Sequence, residues 1–79
     1  MKKFELREIG KDWSSDGELL STHNNIDDAN KHARLAAEKR VKKVYYMRNN
    51  MCPNGDVIVD YGLYNRFLKI KVVKNEEEN

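Results

Sequence analysis

The chain has 79 residues, of which 39% are hydrophobic and 35% charged, and its formal net charge is +2. That length gives one folding unit that buries only about 60–65% of its unfolded surface, near the lower limit for folding unaided. A lone cysteine, Cys52, excludes an internal disulfide; His23 and His32, without a cysteine pair, offer no zinc spacing; no run approaches the roughly 20 apolar residues that span a bilayer.

The basic start, Met1-Lys2-Lys3, has no apolar core behind it and is not expected to be a signal peptide. Together with a free cysteine this points to a reducing cytoplasm. Lys2 to Ile9 reads as a strand, because Phe4 and Leu6 alternate with Glu5 and Arg7. The alternation falters at Glu8-Ile9, where a bulge or the strand end is expected. Asp16-Gly17 is a tight-turn pair, so Trp13 to Thr22 is expected to be a hairpin return or a second short strand.

A helix is predicted next. Asn24 and Asn25 are good N-caps, and Asp27 and Asp28 suit the positive end of the helix dipole. From Ile26 to Val41 there is no glycine or proline, and Ile26, Ala29, Ala33, Ala36, Ala37 and Val41 share one side of a helical wheel. That mostly alanine face allows close approach to a sheet. The other side carries Asp28, Lys31, Leu35, Lys39 and Lys42.

Three strands follow in the reading. Lys43 to Arg48 contains Val44, Tyr45 and Tyr46, good strand formers. Asn49 to Asp56 breaks it with Pro53 and the Asn54-Gly55 turn pair. Val57 to Tyr61 resumes, and Phe67 to Val73 closes the domain with Leu68, Ile70 and Val72 alternating against Lys69 and Lys71. The predicted class is α+β, order β(β)αβββ: one amphipathic helix on one face of a mainly antiparallel sheet of four to five strands. Residues 1–74 form the expected domain and 75–79 an acidic, disordered tail.

Charge is unevenly placed. Residues 1–29 carry −3 and residues 30–74 carry +8, with Lys31 to Arg48 holding seven basic residues and one acid. One reading makes Lys39, Arg40, Lys42, Lys43, Tyr45 and Arg48 a nucleic-acid surface, with phosphates released from their counterions and Tyr45 and Tyr46 stacking on bases. The other makes the lysines a solvated helix end with i,i+4 support from Asp27–Lys31, Arg34–Glu38 and Glu38–Lys42. A net charge of +2 and the glutamates at 76–78 favour the second.

No catalytic constellation is readable. The glycines are widely spaced, so there is no phosphate loop. Cys52 has no supporting histidine spacing and reads as a turn residue beside Pro53. Asp56 and Asp60 would lie about 13 Å apart along a strand, too far for a carboxylate pair. The chain is therefore expected to be no enzyme and to use no metal or cofactor. Its function is expected to be docking onto a protein partner or a second copy, in the manner of small accessory proteins such as those of phages and mobile elements. Leu35, ringed by Lys31, Lys39 and Lys42, and the lone Trp13 are the partner-binding candidates. Of Tyr61 and Tyr64, one is expected in the core and one in solvent.

Overall fold

The computed structural model describes residues 2–74. The acidic tail expected at 75–79 lies outside them. The elements are β1 (Lys2–Ile9), β2 (Glu18–His23), α1 (Ile26–Arg40), β3 (Arg48–Met51), β4 (Val57–Asp60) and β5 (Phe67–Lys74). They build one antiparallel sheet in the order β2-β1-β5-β4-β3, with α1 packed on one face. This is the expected α+β arrangement.

Local chemistry sets the helix. The Asn25 side chain accepts the Asp28 N–H at 2.7 Å, closing one of the unpaired donors of the first turn. The helix stops where Val41 turns to extended backbone, with its N–H on the Ala37 carbonyl at 3.1 Å. Ala29, Ala33, Ala36 and Ala37 are buried against Leu6, Val57, Val59, Tyr61, Leu68 and Ile70. Each fully buried leucine or isoleucine there contributes roughly 1.5–3 kcal/mol. Tyr61 is the core tyrosine and Tyr64 the exposed one.

Three departures from the sequence reading have physical causes. First, residues 43–47 pair with no strand, and β3 begins only at Arg48. The Cys52–Asp56 loop decides this: Cys52 N–H reaches the Asp56 carbonyl at 2.7 Å, and Gly55 N–H the Cys52 carbonyl at 2.9 Å. That closure sets the register Met51↔Val57, so the residues just before the loop become the strand whatever their propensity. Second, Asp16-Gly17 is not a two-residue turn. Residues 10–17 form a long loop that ends on Gly17, whose φ of 59° and contact with the Glu8 carbonyl leave no room for a Cβ.

Third, the far face of the sheet is not left to solvent. Ile9 and Ile58 are buried there, and Lys69, which alternates with the apolar residues of β5, is only 4% accessible. Its ammonium donates to the carbonyls of Trp13 (3.1 Å) and Ser15 (3.0 Å), with Asp16 and Asp56 carboxylates at 3.7 and 3.9 Å. Residues 10–17 thus fold across this face, and Trp13 rests edge-on against Phe67 with ring centroids 5.5 Å apart.

Candidate functional site

β2 forms one edge of the sheet, paired only with β1. Its register slips beside Leu6 and Arg7: Ser21 faces Leu6, yet Leu19 faces Arg7. Leu20 is therefore an extra residue, a β-bulge that turns both Leu20 and Ser21 toward the helix. Between these residues and α1 runs a groove of about 350 Å³. Leu6, Leu20, Leu35 and Ala36 supply apolar walls, and His32, Lys39 and Arg40 a basic border.

Leu35 is 50% exposed on this groove, and Leu19 is similarly exposed on the adjoining strand. Lys31, Leu35 and Lys39 stand four residues apart on one stripe of α1, which brings three of the sequence candidates together. Lys42 follows the helix cap and is exposed. Trp13 belongs to the far face, so the structure separates it from the Leu35 patch. Among the described residues, the expected Arg34–Glu38 pair forms at 3.6 Å, whereas Asp27–Lys31 and Glu38–Lys42 do not.

The basic border is not all available. Arg40 Nε lies 2.6 Å from a Glu8 oxygen, and its Nη1 donates to the Ala36 carbonyl at 2.9 Å. That hydrogen bond holds the Glu8 carboxyl below its ordinary range and pushes Arg40 higher. Arg40 therefore clamps α1 to β1, and the exposed Lys31 and Lys39 carry the groove's outward charge. Of the other nucleic-acid candidates, Lys43 lies over the Tyr45 ring at 5.2 Å and Arg48 over Tyr46 at 5.4 Å.

At the inner end of the groove sits a network that sequence reasoning misses. Ser21 Oγ is 2.7 Å from His23 Nε2, and His23 Nδ1 is 2.5 Å from Asp28 Oδ2. His32 Nδ1 lies 3.0 Å from the Asp28 carbonyl, and the two imidazole centroids are 4.4 Å apart. An ionised carboxylate and a carbonyl only accept, so in the neutral rings both Nδ1 atoms carry the proton. His23 Nε2 then accepts the Ser21 hydroxyl. The His23 bond also holds the Asp28 carboxyl below its ordinary value.

This order of hydroxyl, imidazole and carboxylate resembles that of a serine nucleophile with its base. Hydrolysis further needs donors aimed at a developing oxyanion, and of the groove's cations Arg40 is committed to Glu8. His23, Asp28 and His32 also offer ligand atoms within 4.8 Å of one another, but both His23 nitrogens are already engaged. The network links the end of β2 to the first turns of α1 and gives both ring nitrogens of the buried His23 a partner. Spacing exposes only its Asp28–His32 half, four residues apart on the helix.

No family model, curated protein or solved structure matches the chain. No helix among the described residues is long and apolar enough to cross a membrane.

Proposed function

We propose that this chain is a small, non-catalytic binding module that docks onto a protein partner along the groove between α1 and β2. The observation that carries the reading is Leu35, half exposed on the rim of an apolar groove whose other wall is a sheet-edge strand. An edge strand offers unpaired backbone groups, and an extended partner segment gains main-chain hydrogen bonds by adding to it. The groove suits one aliphatic side chain of that segment, and Lys31 and Lys39 suit acidic neighbours. A cytoplasmic setting goes with this reading, because Cys52 is a free, partly exposed thiol.

The test is selection from a display library of short peptides, with the bound site mapped by backbone amide shifts. Peptides pairing an aliphatic residue with Asp or Glu are expected, with shifts centred on Leu20, Ser21 and Leu35. Leu35→Asp is expected to weaken binding at least about tenfold. Absence of enrichment, or a footprint elsewhere, removes the reading. Self-association that rises with concentration and is abolished by Leu35→Asp would make the occupant a second copy instead.

A further inference from the structure

The strand register gathers a second set of residues far in sequence from one another. β1 ends where β5 begins (Ile9↔Phe67), and β4 ends where β3 begins (Asp60↔Arg48), so Gly10-Lys11, residues 45–48 and residues 61–66 share one end of the sheet. Close approaches agree: a Cβ on Gly62 would sit 3.9 Å from the Tyr46 ring, and one on Gly10 would sit 3.8 Å from the Asn65 carbonyl.

Three tyrosines emerge at this end. Tyr45 is 81%, Tyr64 80% and Tyr46 45% exposed. Each ring has a cation over it: Lys43 at 5.2 Å, Lys11 at 5.4 Å and Arg48 at 5.4 Å, respectively for Tyr45, Tyr64 and Tyr46. A ring about four-fifths exposed cannot be covered on both faces, so the side away from the cation is open. The acids of the same loops are turned to local work. Glu8 is held by Arg40 and Arg66, Asp12 accepts from Ser14, and Asp60 accepts the Gly62 N–H at 3.0 Å.

We infer that this end of the domain binds single-stranded nucleic acid, with Tyr45, Tyr46 and Tyr64 as stacking platforms for unpaired bases and Lys11, Lys43 and Arg48 beside them as phosphate contacts. Interleaved rings and cations are what an unpaired strand requires, since every base has a face to stack and every linkage a charge to neutralise. A duplex hides its base faces and has no use for the rings. The site shares no residue with the lining of the α1–β2 groove, so it adds a second partner to the proposed module: a nucleic-acid strand beside a protein.

Fluorescence anisotropy with labelled oligonucleotides of about 15 thymidines or uridines tests this, run at roughly 50 and 200 mM salt. Binding is expected at the lower salt, and three neutralised phosphates give a log–log salt slope of about −2. Tyr45→Ala and Tyr64→Ala are each expected to weaken binding about fivefold or more. Their thermal melting should stay unchanged, because both rings are exposed. Lys43→Ala and Arg48→Ala should flatten the salt slope. The inference is overturned if neither oligonucleotide binds at low salt. It also falls if a duplex binds as tightly as the single strand, or if the tyrosine variants bind like the wild type.

Discussion

The two faces of the sheet are closed by different physics. On one, α1 lays an alanine stripe over Leu6, Val59, Leu68 and Ile70, and burial of apolar area holds the layers together. On the other, the 10–17 loop passes against Ile9 at Gly17 and is held down by the ammonium of Lys69. The first closure is spread over many contacts and tolerates small changes. The second is concentrated in a few polar atoms and one glycine, so single substitutions should release it. A small domain whose single cysteine allows no internal disulfide thus closes its second face by using a buried charge as a clasp.

Breaking the clasp is expected to cost most at its hinge. Gly17→Ala needs a Cβ where the Glu8 carbonyl stands, at a positive φ, and should destabilise by about 3 kcal/mol in urea denaturation. Lys69→Met removes the donor to two loop carbonyls and should cost about 2 kcal/mol. Its signature is local: Trp13 fluorescence should shift red before the helix signal melts. If the two signals move together, the faces are a single cooperative unit and the contrast fails.

Acid gives the smallest effect and sharpens the comparison. Arg40 holds Glu8 below its ordinary value of 4.5 on the helix side, and Lys71 holds Asp16 below 3.8 on the loop side. A carboxyl with a depressed folded pKa contributes stability above its unfolded value and loses it as pH falls through the folded one. Stability should therefore be level above about pH 5 and decline below it. Glu8→Gln and Asp16→Asn should each flatten that decline, the first in the helix signal and the second in Trp13 emission. Denaturation midpoints across the acid range check both.

The helix and β5 were legible because their signals are local. Asn25 caps, alanines recur at helical spacing, and Leu68, Ile70 and Val72 alternate with lysines. The start of β3 was not legible, because Tyr45 and Tyr46 outrank Asn49 and Asn50 in strand preference while a hydrogen-bonded loop decides the register. The same alternation that located β5 could not show that Lys69 is buried, since period two separates faces without saying whether the second is wet. Leu35 was readable as an exposed leucine. The groove beside it was not, because it depends on the bulge at Leu20. Ser21, His23 and Asp28 were hidden for a similar reason: a strand end and a helix cap bring them together, and no periodicity links them. The tyrosine set needed the pairing of β1 with β5 and of β3 with β4 before residues 11, 45 and 64 came to share one end of the sheet.

The place of β1 and β5 in the sheet also governs how the chain comes into being. They are the first and last strands in order, yet they pair along their whole length at the sheet's middle, with Lys2 opposite Lys74. At about 5–20 residues per second, a ribosome releases β1 roughly 3–12 s before β5. Before β5 is made, the chain holds two separate two-stranded hairpins, β1–β2 and β3–β4, and a helix, and such hairpins are marginal alone. The sheet face that α1 covers becomes continuous only when β5 brings Leu68 and Ile70 between Leu6 and Val57 and Val59. The complete five-stranded sheet therefore waits for the synthesis of β5, which alone bridges the two hairpins.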